Sequence, residues 1–449
     1  MKFGGTSVSK ACFWNTICEQ AQMRADDGWH ILIVVSALSG VTDLLDKLAT
    51  SQKDSEHKLL LEDLEARHAG LFSTLGLEPD DGFKKSWVDL LTLVETDTGQ
   101  HDTTRRALIL SSGERLSSAL GQQALQAAGL SVHLHDATTL LVADGGQCDS
   151  PLSASCGAWS APELETALAE QGTLHITQGF LAAGPDGGTW LLGRGGSDTS
   201  AACLASRLQA SRLEIWTDVP GIFTADPRVV PDAHLLHDLS FSEAQELASM
   251  GAKILHPPSV RTCKQAGIPL QIRDTSQPEI SGTRIGPRST RTDAQVKGIV
   301  SRRNITLVMM DNSSMWRQVG FLADAFEIFR QHHLSIDLIS TSESSVTVSL
   351  DPGHPVVAAE MVLGRLVQDL SSICEVQLRT GLVSISLVGN AIRTIPGQLS
   401  KALDVLQEHE VHMLTQSAND LNLTLVVDAE NVDHLVNELH KTLISPPTH

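Results

Sequence analysis

The feature that most constrains the fold is the alternation of two patterns through residues 1–290. Short apolar runs rich in β-branched residues, of which Ile31 to Val35 is the clearest, alternate with longer stretches whose apolar residues recur at helical spacing. Such alternation is typical of an α/β domain, because parallel strands need crossover connections that are usually helices. We therefore expect an open, largely parallel sheet sandwiched by helices, with further strands at Leu174 to Thr177, Thr189 to Leu192, Leu213 to Trp216 and Leu270 to Arg273.

Two changes in pattern subdivide the chain. Residues 43–107 form a helix-rich insertion that carries no motif with an assignable chemistry. The polar stretch GPRSTRTD at residues 286–293 is typical of a linker, so we place the end of the first domain, residues 1–290, there. Beyond it a strand, helix, strand, strand, helix pattern occurs twice, which predicts two small α+β units over residues 291–380 and 381–449.

The strands of these two units are expected at 305–310, 334–340 and 345–350, and again at 382–388, 411–416 and 421–427. Their helices are expected at 320–332 and 356–370, and at 399–408 and 432–443. Units this small bury little apolar surface, so we expect them to pair with each other or with another subunit.

Composition limits the classes of partner. The chain has 33 Lys and Arg against 53 Asp and Glu, a net charge of −20 that would repel nucleic acid and anionic membranes. No run approaches the roughly 20 apolar residues that cross a bilayer, and no signal-peptide pattern is visible, so we expect a cytoplasmic protein. The seven cysteines lack metal-binding spacing, and His409 and His412 lack further ligands in sequence, so we expect no protein-held metal.

Four segments combine glycine, charge and a strand-to-helix transition: residues 2–7, 112–115, 193–198 and 216–228. Glycines directly after a strand let backbone amides approach a phosphate, and an Arg fork can bind a carboxylate with two hydrogen bonds. Each segment alone has a simpler explanation. Glu114, in a segment that we expect to open a helix, would more often be a partner of the helix dipole than a site residue.

Taken together and in order, the segments resemble the aspartate kinases of the amino acid kinase family. The resemblance is carried by KFGGTS, VVSALSGVTDLL, SSGERLS, ITQGF, LGRGGSDTSA, IWTDVPGIFTADPR and GAKILHP. In the tail, VGFLADAFEIFRQHHLSIDLISTSE looks like the effector segment of the tandem ACT domains attached to these enzymes. The resemblance implies an amino-acid-kinase fold followed by two ferredoxin-like α+β ACT units.

The activity that this resemblance implies is transfer of the γ-phosphate of ATP to the β-carboxylate of L-aspartate, the first step toward lysine, threonine and methionine. Feedback regulation by an amino acid, with lysine as the expected effector, and a homodimer or homotetramer formed through the ACT units are implied as well. Mg²⁺ would arrive mainly as MgATP, because it keeps several waters and uses few protein ligands.

The resemblance also assigns roles to individual residues. Arg194 would bind the α-carboxylate of aspartate and Glu114 its ammonium group, and the remaining substrate contacts would be Ser36, Thr42, Phe180 and Ser197. Because the substrate carboxylate, with a pKa of about 3.9, is already ionised, no general base is needed. Asp198 would organise the phosphate-facing lysines and Mg²⁺. The catalytic and nucleotide-binding set would be Lys2, Gly4, Gly5, Ser7, Asp198, Thr217, Asp218, Phe223, Asp226, Arg228 and Lys253.

An effector site is implied in the tail. Its candidates are Met315, Gln318, Phe321, Leu322, Ile336, Asp337, Ser342 and Glu343. Asp337 and Glu343 could neutralise the ammonium groups of lysine. The alternative is that Phe321 and Leu322 begin a core-facing helix and the two acids are simply solvated.

Some positions depart from the family pattern, and two other functions stay open. Met1 directly precedes Lys2, where the family carries a few apolar residues, Phe223 replaces a usual Tyr, and Gln318 replaces a smaller polar residue. One alternative is an amino acid kinase acting on glutamate or a carbamate; the other is an inactive amino acid sensor. Residues 445–449 resemble the start of a linker to a further module, such as a homoserine dehydrogenase or a diaminopimelate decarboxylase.

Overall fold

A computed structural model describes residues 1–51, 53–95, 102–146, 150–157, 161–252, 254–289, 293–312, 319–350 and 360–444. The chain forms two compact units. The first comprises Met1–Ile222, His237–Gln245 and Lys253–Thr290, and the second comprises Phe223–Leu236, Glu246–Ala252 and Arg291–His449. Among the described helices, none is long and apolar enough to cross a membrane.

The first unit is built on an eight-stranded sheet with the order β3-β4-β2-β1-β7-β9-β10-β8. Its strands are β1 Lys2–Phe3, β2 Ile31–Val35, β3 His133–His135, β4 Leu174–Gln178, β7 Leu213–Thr217, β8 Asp238–Ser240, β9 Leu270–Asp274 and β10 Thr283–Gly286. A separate hairpin consists of β5 Leu181–Ala183 and β6 Thr189–Leu191. All neighbouring pairs of the main sheet run parallel except β9 and β10. The predicted largely parallel sheet is therefore confirmed, but the strand expected at Thr189 to Leu192 lies in the hairpin instead.

Helices surround this sheet. They are α1 Gly5–Val8, α2 Ala11–Asp26, α3 Val41–Thr50, α4 Asp54–Leu75, α5 Asp81–Glu95, α6 Thr103–Ala127, α7 Ala137–Leu140, α8 Pro162–Gln171, α9 Gly196–Arg207, α10 Phe241–Ser249 and α11 Pro257–Ala266. The longest, α6, is buried along much of its length, and Trp14 of α2 packs against it at Gly121. A Cβ on Gly121 would lie 2.5 Å from the Trp14 ring, so only glycine allows this approach of the two helices.

The central strand β1, Lys2–Phe3, lies between β2 and β7. Lys2 pairs with Val34 on one side and Ile215 on the other. The bonds from the Met1 amine to Leu32 O and from Gly4 N–H to Trp216 O show that the even-numbered residues of β2 and β7 face β1. A cavity of about 460 Å³, lined mostly by apolar side chains, lies beside Met1, Leu32 and Glu214.

The second unit contains one six-stranded antiparallel sheet with the order β12-β13-β11-β14-β16-β15. The strands are β11 Gln295–Asp311, β12 Ile336–Thr341, β13 Ser345–Leu350, β14 Glu375–Asn390, β15 Val411–Gln416 and β16 Asn422–Val427. Helices α12 Phe321–Gln331 and α13 Glu360–Leu370 belong to one half, and α14 Pro396–Val405 and α15 Val432–Leu443 to the other. The predicted α+β architecture of the tail is confirmed.

The two halves of this sheet are joined by the long central strands β11 and β14. These strands pair along their length, from Gln295 with Asn390 to Asp311 with Glu375. Residues 383–388 of β14 pair on one side with β16 and on the other with residues 298–303 of β11, whereas residues 306–311 pair with β13. The sequence pattern predicted only residues 305–310 of β11 and 382–388 of β14, because apolar and polar residues alternate in the rest of these two strands. The boundary proposed at residues 380 and 381 stays a prediction, although the pairing links both sides of it.

The segment Phe223–Leu236 packs into the core of the second half of this sheet. Ala225 and Val230 join the apolar cluster formed with α14 and α15, and Thr224 shares a hydrogen bond of 2.8 Å with His440 Nε2. The Ile299 amide donates to Thr224 O at 2.7 Å. A stretch that sequence order places among the residues of the first domain is therefore part of the second unit.

Candidate active site

The carboxyl end of β1 brings a lysine and an aspartate together. Lys2 Nζ lies 2.6 Å from Asp198 Oδ1, and the two side chains are only 10% and 16% exposed. The groups meet as an ion pair without hydrogen-bond geometry at Oδ1. Lys2 comes from the central strand and Asp198 from the first turn of α9, so two distant predicted residues form one charged centre at the edge of the sheet where open α/β sheets bind ligands.

The glycine pair after β1 lies directly beside this centre. Gly4 N–H donates to Trp216 O at 3.1 Å, and a Cβ on Gly4 would lie 3.6 Å from Lys2 Nζ. Ser7 is anchored, because its amide donates to Gly4 O and its hydroxyl lies 2.7 Å from Thr275 Oγ1. The Ser7 side chain therefore holds the loop in place and is already bonded within the protein.

Glu114 is buried with one carboxylate oxygen lacking a partner. It is 3% exposed, it accepts from the Ala37 amide, and its Oε2 has no hydrogen-bond partner among the described residues. Burial raises its pKa to about 8. A buried carboxylate in this state is stabilised by an arriving cation, since the cation supplies the charge that burial takes from water.

The expectation that Glu114 opens a helix was wrong. Helix α6 begins at Thr103, where Asp102 accepts from the Arg105 amide, so Glu114 lies in its interior and cannot serve the dipole of the first turn. Gly113 explains how it reaches the site, because a Cβ at Gly113 would be 2.8 Å from Ala37 Cβ. Ala37 also lies close to Gly5, since its carbonyl oxygen would be 2.9 Å from a Cβ on that glycine.

Two other predicted substrate residues lie nearby in the chain. Ser36 precedes Ala37, and its amide donates to Phe3 O at 3.2 Å. Thr42 is in the first turn of α3.

The remaining substrate candidates lie in or beside the turn that leads into α9. Phe180 has a left-handed backbone (φ 68°), its amide donates to Ser200 Oγ, and its ring contacts Gly196, where an added Cβ would lie 2.3 Å from Cδ2. Ser197 packs on Gly179 in the same way. Arg194 is exposed, and within the described part of the chain its guanidinium makes no hydrogen bond or ion pair.

His256 was missed as a candidate, although it lies within GAKILHP. It immediately precedes α11, its ring contacts Gly195, and its buried Nδ1 has no hydrogen-bond partner in the described ranges. Burial lowers its pKa, while Asp198 raises it and Arg194 lowers it. Lys253 of the same motif lies outside the described residues.

The candidates of the nucleotide set fall into both units. Thr217 and Asp218 follow β7 in the first unit, and the Thr217 hydroxyl donates to Asp218 Oδ1 at 3.1 Å. Phe223, Asp226 and Arg228 belong to the second unit, where Arg228 Nη2 lies 2.6 Å from Asp226 Oδ2. A nucleotide would have to compete with this exposed pair, so the roles of both residues stay predictions.

The candidate effector residues differ in their environment. Phe321 is buried in the core beneath α12, as the alternative interpretation expected, whereas Leu322 is 41% exposed. Asp337 forms an ion pair with Arg302 at 2.9 Å instead of being simply solvated. Ile336 is half-buried, Ser342 shares a hydrogen bond with Ser345, and Glu343 is exposed. Met315 and Gln318 lie outside the described residues.

One cluster in the second unit resembles a metal site. Glu410, His412 and Asp428 bring possible ligand atoms within 4.8 Å of one another. Arg379 Nη1 lies 3.1 Å from His412 Nδ1, so a positive group already occupies part of this cluster.

Three comparisons relate the chain to known proteins. The model of the amino acid kinase family matches residues 1–274, and an ACT domain model matches residues 385–443. The chain is 32% identical over 448 residues to lysine-sensitive aspartokinase 3 of Escherichia coli (strain K12), covering 98% of both chains. The crystal structure of E. coli aspartokinase III with aspartate and ADP matches with a TM-score of 0.85 and 31% identity over 99% of each chain. The crystal structure of the same E. coli protein with lysine and aspartate matches with a TM-score of 0.76 and 30% identity, again over 99% of each chain.

The glycine pair offers a direct test of the geometry around β1. We expect Gly5→Ala to cost about 1–3 kcal/mol of unfolding free energy, because the new Cβ would lie 2.9 Å from a backbone oxygen. Gly4→Ala is the matched control, since its Cβ would have ordinary contacts at 3.6 and 3.7 Å. Chemical denaturation measures both, and equal losses in the two variants would contradict the close packing of Gly5 on Ala37.

Proposed function

Because the chain belongs to the aspartokinases of the amino acid kinase family, we propose that it transfers the γ-phosphoryl group of ATP to the β-carboxylate of L-aspartate. The product, 4-phospho-L-aspartate, is the first intermediate toward lysine, threonine and methionine. The observation that carries the proposal is the similarity to E. coli lysine-sensitive aspartokinase 3 along 98% of both chains. The charges at the carboxyl end of the sheet suit these substrates.

Aspartate would be held by two ionisable side chains whose polar atoms are left without a partner in the described part of the chain. Glu114 would receive the ammonium group, because its Oε2 is buried without a partner in the described structure. Arg194 would receive the α-carboxylate, since its exposed guanidinium can donate two parallel hydrogen bonds. Opposite charges would then meet at both ends of the ligand, leaving the β-carboxylate for the reaction.

Phosphoryl transfer would depend on positioning and electrostatics. The β-carboxylate is ionised at neutral pH and attacks the γ-phosphorus while the bond to the leaving ADP oxygen breaks, so no proton needs to be removed first. Lys2 would stabilise the charge on the phosphoryl oxygens, and Asp198, 2.6 Å away, would hold its ammonium group in place. Mg²⁺ enters as part of the MgATP substrate, and Asp198 is the carboxylate that would face it.

Regulation would act through the second unit. The effector we propose is the amino acid lysine, since the E. coli relative is named lysine-sensitive and was crystallised with lysine. Its ammonium group would compete with Arg302 for Asp337. Because Thr224, Ala225 and Val230 pack within the same unit, a rearrangement there would move the segment that carries Phe223, Asp226 and Arg228. Effector binding would then change nucleotide binding, because both would depend on the position of this one segment, which would have two states.

Self-association through the ACT units is part of the proposal. The edge strands β12 and β15 each expose a large apolar side chain, Ile339 at 46% and Leu414 at 47%. Exposed apolar edges are places where a second subunit can add to a sheet. A homodimer or homotetramer is the assembly we expect.

The activity is tested by trapping aspartyl phosphate with hydroxylamine from MgATP and L-aspartate. We expect aspartate-dependent product that lysine suppresses, and a loss of at least about 100-fold in kcat/KM in Arg194→Ala, because one partner of a charged hydrogen-bonded pair is removed. Arg330→Ala, at an exposed arginine paired with Glu327, is the control and should keep its activity without lysine. Absence of product from the folded wild type, or an acyl phosphate formed with glutamate but not with aspartate, would reject aspartate as the substrate.

The raised pKa of Glu114 predicts a pH dependence of aspartate binding. The ionised form pairs with the ammonium group, and with a pKa of about 8 it is the minor form at pH 7. Aspartate binding should therefore release close to one proton at pH 7, and the KM for aspartate should fall as the pH rises toward 8. Calorimetry in two buffers of different ionisation enthalpy measures the proton, and Glu114→Gln should abolish the release. Binding without proton release in the wild type would show that Glu114 does not meet the ammonium group.

A further inference from the structure

His256 lies in unusually close contact with the turn that carries the charged residues of the site. A Cβ placed on Gly195 would come within 2.4 Å of His256 Cγ and 2.5 Å of Cδ2. Gly195 has a left-handed backbone (φ 69°) and is the residue from which α9 begins. The imidazole therefore fills the space that a side chain at position 195 would need.

Gly195 in turn fixes the geometry of its neighbours. Its carbonyl accepts from the amides of Asp198 and Thr199, both at 3.0 Å, and from the Thr199 hydroxyl at 3.2 Å. Arg194 precedes it directly. The orientation of the Gly195 peptide thus sets both the first turn of α9, with Asp198, and the direction in which Arg194 leaves the turn.

The turn is held from two sides by rings. Phe180 packs on Gly196, where an added Cβ would lie 2.3 Å from its ring, and His256 packs on the adjacent Gly195. His256 is itself fixed, because its carbonyl accepts the Ser259 amide at 3.0 Å at the start of α11, after Pro257. Two rings anchored on separate elements can hold a glycine-rich turn that would otherwise be free to change its backbone conformation.

The chemistry of the ring favours a packing role. Its Nδ1 is buried and has no hydrogen-bond partner in the part of the chain that the structure describes, and the side chain does not cap α11. Burial lowers the pKa of the His256 imidazole, which favours the neutral ring at pH 7, while Asp198 raises that pKa and Arg194 lowers it. An uncharged flat ring occupies this space without competing with Lys2 for Asp198.

We propose that His256 is a positioning residue for the phosphoryl transfer, whose ring on Gly195 holds Arg194 toward the substrate carboxylate and Asp198 against Lys2. This inference rests on the proposed kinase function. Loss of the ring lets the turn relax, and this displaces the guanidinium group of Arg194 more than the carboxylate of Asp198.

Two substitutions distinguish the role of the His256 ring from the role of its nitrogen atoms. His256→Phe keeps a flat ring and removes both nitrogens, whereas His256→Asn removes the ring and leaves a residue favoured before a helix, so that α11 keeps its start. We expect the Asn variant to raise the KM for aspartate about tenfold, with a change below about twofold in the KM for MgATP. The Phe variant should stay within about threefold of the wild type in both constants.

A double substitution tests the contact itself. Gly195→Ala alone should be strongly impaired, because its methyl group meets the ring. In the His256→Asn background the same methyl group has more space, so the double variant should lose less in kcat/KM than the product of the two single losses. A residue that acts only through overall stability would give additive losses.

Thermal unfolding of each variant, together with the kinetics, decides the outcome. An Asn variant with an unchanged KM for aspartate, a Phe variant as impaired as the Asn variant, or additive losses in the double variant would each overturn the proposal. If the wild type itself forms no aspartate-dependent product, the proposed function fails instead, so the two failures are distinguishable.

Discussion

The pairing of β1 between β2 and β7 determines where the chemistry of this chain can lie. Lys2 is held between Val34 and Ile215, and this register places its ammonium group at the edge where the turn before α9 begins. The ion pair with Asp198 then links the central strand to α9. The hydrogen bonds on the two sides of β1 therefore hold the lysine that we propose to face the transferring phosphate.

Close backbone approach is the second constraint. Gly113, Gly5 and Gly195 each lie where a Cβ would meet a neighbour at less than 3 Å. Ala37 is the meeting point of the first two, so the loop after β2, helix α6 and the start of α1 approach one another closely. This packing leaves Glu114 buried beside the glycine loop, and the desolvation that follows is what makes its carboxylate responsive to a cation.

Local patterns allowed much of the fold to be predicted from the sequence. The run Ile31 to Val35 coincides with β2, since an uninterrupted β-branched segment has few alternatives in an α/β domain. The position of Glu114 inside α6 was not predictable in this way, because the Gly113 that precedes it looks like a helix start and its role depends on a contact with Ala37. The membership of Phe223–Leu236 in the second unit and the contact of His256 with Gly195 likewise depend on tertiary packing between residues far apart in sequence. The motifs supplied the candidate chemistry-bearing residues, whereas they gave no signal for the packing residues around them.

The most direct test of the proposed site is a crystal structure of the protein with L-aspartate and MgADP. We expect the ammonium group of aspartate within hydrogen-bond distance of Glu114 Oε2, its α-carboxylate on the Arg194 guanidinium, and its β-carboxylate facing Lys2. Aspartate bound with its ammonium group away from Glu114, or at a different edge of the sheet, would contradict the assignment of this centre as the place of phosphoryl transfer.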